Sequence, residues 1–161
     1  MTEDARAAFG LTEGEGDARW WLGSLAIIKA TGKETDGRYT LVDVREPEDA
    51  FAPLHVHHRE DEAFWILEGE FTFEIGADTI KATPGSFVFG PRGVPHRYTV
   101  DKGPARLLYV LSPAGFEELI YATSEPAKQL SLPPAQTTPP DPAEFELFLM
   151  AARQCGCEIL E

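Results

Sequence analysis

Histidine and cysteine are both scarce in this chain, with four of the first and two of the second among 161 residues. The cysteines, Cys155 and Cys157, stand one residue apart near the C-terminus, so no disulfide framework braces the fold. They read as ordinary thiols at a helix end. A chain of this length needs no such brace, because it can bury a sizeable core of its own. Basic residues are also few: 14 Lys and Arg against 27 Asp and Glu, a formal charge of −13. Nucleic acid and anionic lipid both require a basic footprint, so neither is an expected partner. There is no apolar run long enough to span a membrane. The opening MTEDARAAFG has neither the basic nor the apolar region of a secretory signal, and a cytoplasmic protein is expected. Helical periodicity is missing between residues 20 and 112, which excludes a helical bundle as the main body.

The chain does carry short apolar stretches with turn residues between them. A hydrophobic content of 43% argues for one folded domain rather than disorder. Residues 1–18 are polar and read as a flexible arm, 19–112 as the body and 113–161 as a helical extension with a Pro-rich linker. WWLGSLAIIKA, from Trp20, reads as one strand, and Arg38–Arg45 as its hairpin partner after a turn cluster at Thr31–Gly37. Glu62–Leu67 and Phe71–Ile75 read as a hairpin turning near Gly69. Thr79–Ala82, Ser86–Phe89, His96–Val100 and Ala105–Leu111 complete the strands. Many short strands with regular turns predict an all-β sandwich or barrel. Ala114–Ala122 then has helical spacing. A second helix is signalled by Asp141 as N-cap, Pro142 at its first position and Glu144 in its first turn, with Gly156 as the stop. Its stripe of Phe145, Phe148, Leu149 and Ala152 needs burial, and docking on the outside of the barrel is expected.

Three of the four histidines can meet at one point. Residues two apart on a strand face the same side, so His55 and His57 point together and Val56 points away. Their Cα atoms are then about 6–7 Å apart, and both imidazoles can reach one ion at about 2.1 Å. Glu62 shares parity with the apolar Phe64 and Ile66. A carboxylate on such a face is costly without a cation to pair with, which marks Glu62 as a ligand. His58 has the opposite parity and faces away, and Glu60 and Asp61 read as a solvated turn. His96 begins a strand with Tyr98 on its own face. Three imidazoles and one carboxylate suit a single divalent ion of Fe, Mn, Ni, Co, Cu or Zn.

These residues resemble the cupin superfamily. Its first motif, His-x-His, four residues, Glu, six residues, Gly, is matched by His55, His57, Glu62 and Gly69. Its second is matched by Gly85, Pro91, Gly93 and His96, with Val100 where the motif has Asn. Asp49 stands where the first motif opens on Gly. Neither departure touches a ligand. The resemblance implies a jelly-roll β-barrel followed by one or two C-terminal helices. It also implies one metal ion held by His55, His57, Glu62 and His96.

More narrowly, PLHVHHREDEAFWILEGE, PGSFVFGPRGVPH and SPAGFEELI resemble small single-domain cupins related to flavonol dioxygenases. That likeness implies an enzyme using O2 on a flavonol-like or other enolic aromatic molecule, with Glu62 as general base as well as ligand. Phe64, Ile66 and Tyr98 share the ligands' parity and would line the substrate pocket, although plain barrel core explains them as well. A non-oxidative cyclase or isomerase and a non-catalytic small-molecule-binding cupin stay open. By the same analogy a homodimer is expected.

Overall fold

The computed structural model describes residues 7–136 and 141–160. Its strands in chain order are β1 (Asp17–Trp21), β2 (Ser24–Ala30), β3 (Thr40–Glu46), β4 (Phe51–His57), β5 (Asp61–Ile75), β6 (Asp78–Ala82), β7 (Phe87–Gly90), β8 (His96–Ser112), β9 (Glu125–Pro126) and β10 (Cys157–Ile159). Three helices intervene: α1 (Gly32–Thr35), α2 (Glu117–Thr123) and α3 (Pro142–Gln154). The strands pair antiparallel throughout, as expected for an all-β jelly roll.

Two long bent strands shape the barrel. The first half of β8, His96–Val100, lies between β4 and the end of β5. Its second half, Ala105–Ser112, lies between β3 and the start of β5. Both strands therefore run through two facing layers and bend between them. The expected hairpin at Glu62–Ile75 is instead one strand with register shifts between Ile66 and Phe71. The shifts change parity: Phe64 and Ile66 face inward before them, and Phe71, Phe73 and Ile75 after them. Gly69 sits at the bend with φ 83°, where a Cβ would lie 2.7 Å from the carbonyl oxygen of Lys102. A bulge and a turn both call for glycine, which is why the two were confused. Likewise the two strands expected at His96–Leu111 are one.

The opposite correction applies at Trp20. The single strand expected there is broken by Leu22 and Gly23, both at positive φ, in a two-residue hairpin loop. Leucine rarely adopts that conformation, so the sequence carries little sign of it. The turn cluster at Thr31 holds the one-turn α1, closed by a capping box between Thr31 and Glu34. Of the arm expected at residues 1–18, residues 1–6 lie outside the described range. Asp17 and Ala18 already belong to β1, and Lys29 Nζ donates to the carbonyls of Thr12 and Glu15.

Phe64, Phe71, Phe73, Ile66, Leu107 and Leu111 fill the space between the layers and are essentially inaccessible. Each such side chain stabilises the fold by about 1.5–3 kcal/mol through burial.

The C-terminal extension differs most from expectation. Asp141 caps α3 as predicted, accepting from Ala143 N at 2.9 Å. Ala152 is buried and Phe148 packs against the core, but Phe145 is 51% exposed. The helices do not simply dock on the outside. Phe116, at the start of α2, packs 5.8 Å from the Trp21 ring and 5.3 Å from the His57 ring. Leu119 and Ile120 join the main core. After α3 the chain adds β10 to the edge of β4, pairing Cys157 with His57 and Ile159 with His55. Glu117 ties α2 to the body: its carboxylate accepts from Gly32 N and Gly115 N, each at 2.7 Å, and from the Thr40 hydroxyl.

Candidate metal centre

The four residues singled out by spacing converge. His55 and His96 are direct cross-strand partners on β4 and β8. Glu62, the second residue of β5, reaches them from where it pairs with Gly90 and Leu111. Glu62 Oε2 lies 2.9 Å from His96 Nε2, 3.2 Å from His57 Nε2 and 3.8 Å from His55 Nε2. One donor atom from each residue falls within 4.8 Å of the others. All three rings thus present Nε2 to one point.

Their opposite nitrogens explain that orientation. His55 Nδ1 lies 2.7 Å from the carbonyl of Pro53, and His96 Nδ1 lies 3.0 Å from that of Val94. A carbonyl only accepts, so each Nδ1 donates to it, which leaves Nε2 as the atom each ring would offer to an ion. Each bond closes onto the residue two positions earlier.

Electrostatics favour positive charge at the same point. Glu62 is 3% exposed. Burial would raise its carboxyl, yet the imidazoles around it, His57 foremost, hold it well below the usual carboxylate range. Burial would likewise push His57 down, but Glu62 and Glu60 lift it to about 9. In the ion-free protein a proton on His57 supplies the charge that these buried carboxylates demand. The donor set and its orientation fit a divalent ion.

The remaining expected positions divide. His58 faces away as parity predicts, and its Nε2 lies 2.9 Å from Glu158 Oε2. Asp61 accepts from Arg92 N at 2.9 Å at the edge of the turn. Glu60 is a correction. It is 2% exposed rather than solvated, and its Oε2 lies 3.4 Å from His57 Nδ1. Strand parity lapses in the turn after His57, so the pattern could not orient it.

Phe64, Ile66 and Tyr98 all face the interior and are buried. Phe64 stands 6.3 Å from the His96 ring and 6.1 Å from the Tyr98 ring. The Tyr98 hydroxyl belongs to a polar cluster that escaped the sequence reading. It donates to Glu46 Oε1 at 2.7 Å and shares a hydrogen bond with the Tyr109 hydroxyl, while Ser24 donates to the other Glu46 oxygen. Burial raises the Glu46 carboxyl and both phenols above their ordinary values. Inward parity of Glu46 with Val42 and Val44 was the available signal.

Cys155 and Cys157 are free thiols. Cys157, opposite His57, is buried and pushed up to about 12 by that burial, so it is not a ready thiolate.

Comparison with known proteins agrees with this architecture. Residues 42–111 match the cupin domain family, and this part of the chain is a cupin domain. It is 30% identical over 123 residues to quercetin 2,3-dioxygenase of Bacillus subtilis, covering 76% of this chain and 36% of that protein. It is 32% identical over 56 residues to an uncharacterized protein of Streptomyces coelicolor, covering 35% of this chain and 53% of that one. The chain therefore spans only about a third and a half of these relatives' lengths. Among solved structures, an RmlC-like cupin from Shewanella frigidimarina superposes with TM-score 0.57 at 21% identity, covering 68% of this chain and 95% of that one. Oxalate decarboxylase from Bacillus subtilis gives 0.56 at 22% identity, covering 63% and 28%. These two likenesses speak to the fold. Among the described residues no helix is long and apolar enough to cross a membrane.

Proposed function

We propose that the chain is a metal-dependent dioxygenase acting on a flavonol-like or related enolic aromatic molecule. One divalent transition-metal ion would be held by His55, His57, Glu62 and His96. The observation that carries the metal centre is the convergence of three Nε2 atoms on Glu62 Oε2, with two of the rings locked from behind by carbonyls. The choice of dioxygenation is supported by the likeness to quercetin 2,3-dioxygenase.

Bound there, the ion would supply Lewis acidity and open coordination positions. The protein's own residues do the rest. Glu62 Oε2 would accept the proton of an acidic enolic hydroxyl, because among the described residues Glu62 is the one carboxylate in the cluster. Phe64, Ile66 and Tyr98 are buried, with Phe64 beside His96 and Tyr98, and would wall the substrate's side of the site against water. Glu46 and Tyr109 hold the Tyr98 hydroxyl away from the ligands, so Tyr98 contributes its ring rather than its oxygen.

The test is metal analysis of purified protein followed by oxygen uptake on the same sample with quercetin. About one equivalent of metal and flavonol-dependent oxygen consumption are expected. Absence of uptake with any flavonol or catechol would overturn dioxygenation. Turnover of an enolic substrate under strict anaerobiosis would mark a cyclase or isomerase instead.

For assembly, a second copy is the partner we propose for the outer face of β7, β5, β8 and β3. Trp65, Phe87 and Phe89 are 45%, 60% and 48% exposed. The register sets Trp65 between Phe87 and Leu108, Ala63 between Phe89 and Val110, and Val110 beside Leu41. The Trp65–Leu108 row ends on β3 at Asp43, whose charge Arg106 pairs, so the apolar patch has a charged border, in a chain that otherwise repels its own copies with a charge of −13. At about 200 Å² per ring, the half-exposed aromatics present about 300 Å², among the larger patches that monomers expose. Two-fold pairing would bury about 600 Å² of aromatic surface, a substantial core for a standard interface of about 1,600 Å². Light scattering is expected to report a dimer for the wild type and a monomer for Trp65→Glu. A monomeric wild type removes the proposal.

A further inference from the structure

We infer that Glu60 is the positioning residue of His57, accepting its Nδ1 proton and so aiming Nε2 at the point beside Glu62. This rests on reading the four-residue cluster as a metal centre. His55 and His96 each have a backbone carbonyl behind the ring, at 2.7 and 3.0 Å. His57 has none. The atom facing its Nδ1 is Glu60 Oε2, at 3.4 Å, and neither atom has another hydrogen-bond partner among the described residues. Both side chains are shut away from solvent, at 1% and 3% exposure. A buried carboxylate and a buried ring nitrogen in that situation are costly unless they satisfy each other.

The charge arithmetic points the same way. Among the described residues no Lys or Arg lies within ion-pair distance of Glu60. The neighbouring Arg59 instead lies along Gly156, where a Cβ would come within 2.8 Å of its Cδ. Among the described residues His57 is therefore the group through which Glu60 reaches positive charge. With Glu62 as a direct ligand and Glu60 behind His57, two carboxylates balance one divalent ion. The third ring is thus held by a charged acceptor, where the other two have neutral ones. A carboxylate behind a ligating imidazole makes the ring a stronger donor and fixes its tautomer.

Glu60 also lines a cleft of about 380 Å³ with Gly115, Glu118, Gln154 and Cys155. Truncating it would widen that cleft toward His57, so alanine alone is an ambiguous substitution. Glu60→Gln keeps the shape and one acceptor oxygen while removing the charge.

The experiment titrates zinc into the ion-free full chain against a competing chelator and records the imidazole N–H resonances of the zinc-loaded protein. Glu60→Ala is expected to weaken zinc binding about 10–100-fold, with Glu60→Gln between it and wild type. In Glu60→Gln the His57 N–H resonance is expected to move upfield while those of His55 and His96 stay in place. A role confined to general stability would move all three or none. Should Glu60→Ala fail to fold, Glu60→Gln carries the test. Zinc affinity and a His57 resonance unchanged in folded Glu60→Gln would overturn the inference. A wild-type chain that binds no zinc would overturn the metal-centre reading itself, and this inference with it.

Discussion

Glu62→Gln is expected to lower metal affinity by more than the roughly 10–100-fold that loss of a supporting partner costs, while changing the stability of the ion-free fold little above about pH 9, where His57 no longer carries the extra proton. The two halves of that outcome separate a ligand from a structural acid. Glutamine preserves the volume of Glu62 and can still accept a hydrogen bond at the point where three Nε2 atoms converge. What it loses is the anionic oxygen that a divalent ion requires there. In the ion-free protein the partner of that charge is His57, which can release its proton rather than remain as a stranded cation. A structural acid would behave oppositely: its neutral replacement would cost stability and leave metal binding alone.

The same substitution has a pH signature. His57 in the ion-free chain is raised from 6.5 to about 9. A raised imidazole contributes stability that is fully present below the unfolded value and lost as pH rises through the folded one. Ion-free wild type is thus expected to lose stability between pH 6.5 and about 9. In Glu62→Gln the largest charge lifting His57 is gone, so that slope should shrink. Urea titrations of ion-free protein across this range would show it, and an unchanged slope would contradict the assigned pairing.

How much of this centre was legible depends on the reach of local patterns. His55, His57 and Glu62 were readable because parity on a strand is strict and a carboxylate among Phe64 and Ile66 has few other uses. His96 followed from the resemblance of Gly85, Pro91, Gly93 and His96 to the second cupin motif. The cap Asp141-Pro142 was readable because capping is chemistry within three residues. Glu60 was not, because parity lapses in the turn that carries it. Glu46 continues the inward parity of Val42 and Val44 but was passed over because the strand was ended at Arg45. At Gly69 the residue requirement was right and the geometry wrong, since a bulge and a hairpin turn both select glycine. The pairing of β10 with β4 left no trace at all. A three-residue strand has no period to detect, and its partner lies about 100 residues earlier.

That hidden strand supplies the other large expectation. A chain ended after Gly156, lacking the residues from Cys157 onward, is expected to lose about 3–5 kcal/mol of stability and most of its metal affinity. The stability term has two parts. Cys157 is 3% exposed and Ile159 packs against the core, so their removal returns apolar surface to water. Backbone bonding is lost as well, including Leu160 N to the Leu54 carbonyl at 2.8 Å. The affinity term follows from where the strand lies. β10 is paired to the segment that carries His55 and His57, residue for residue. Without it β4 becomes an edge strand held only by β8, and its two rings lose the fixed backbone that brings them to Glu62. Ile159→Pro is the milder form, since proline removes a donor and disfavours the extended pairing without deleting Cys157. Both variants should bind zinc more weakly than wild type, the truncation more so, in step with a lower urea midpoint. Full zinc affinity in the truncated chain would show that β4 is held by β8 alone and that the C-terminal strand is mere covering.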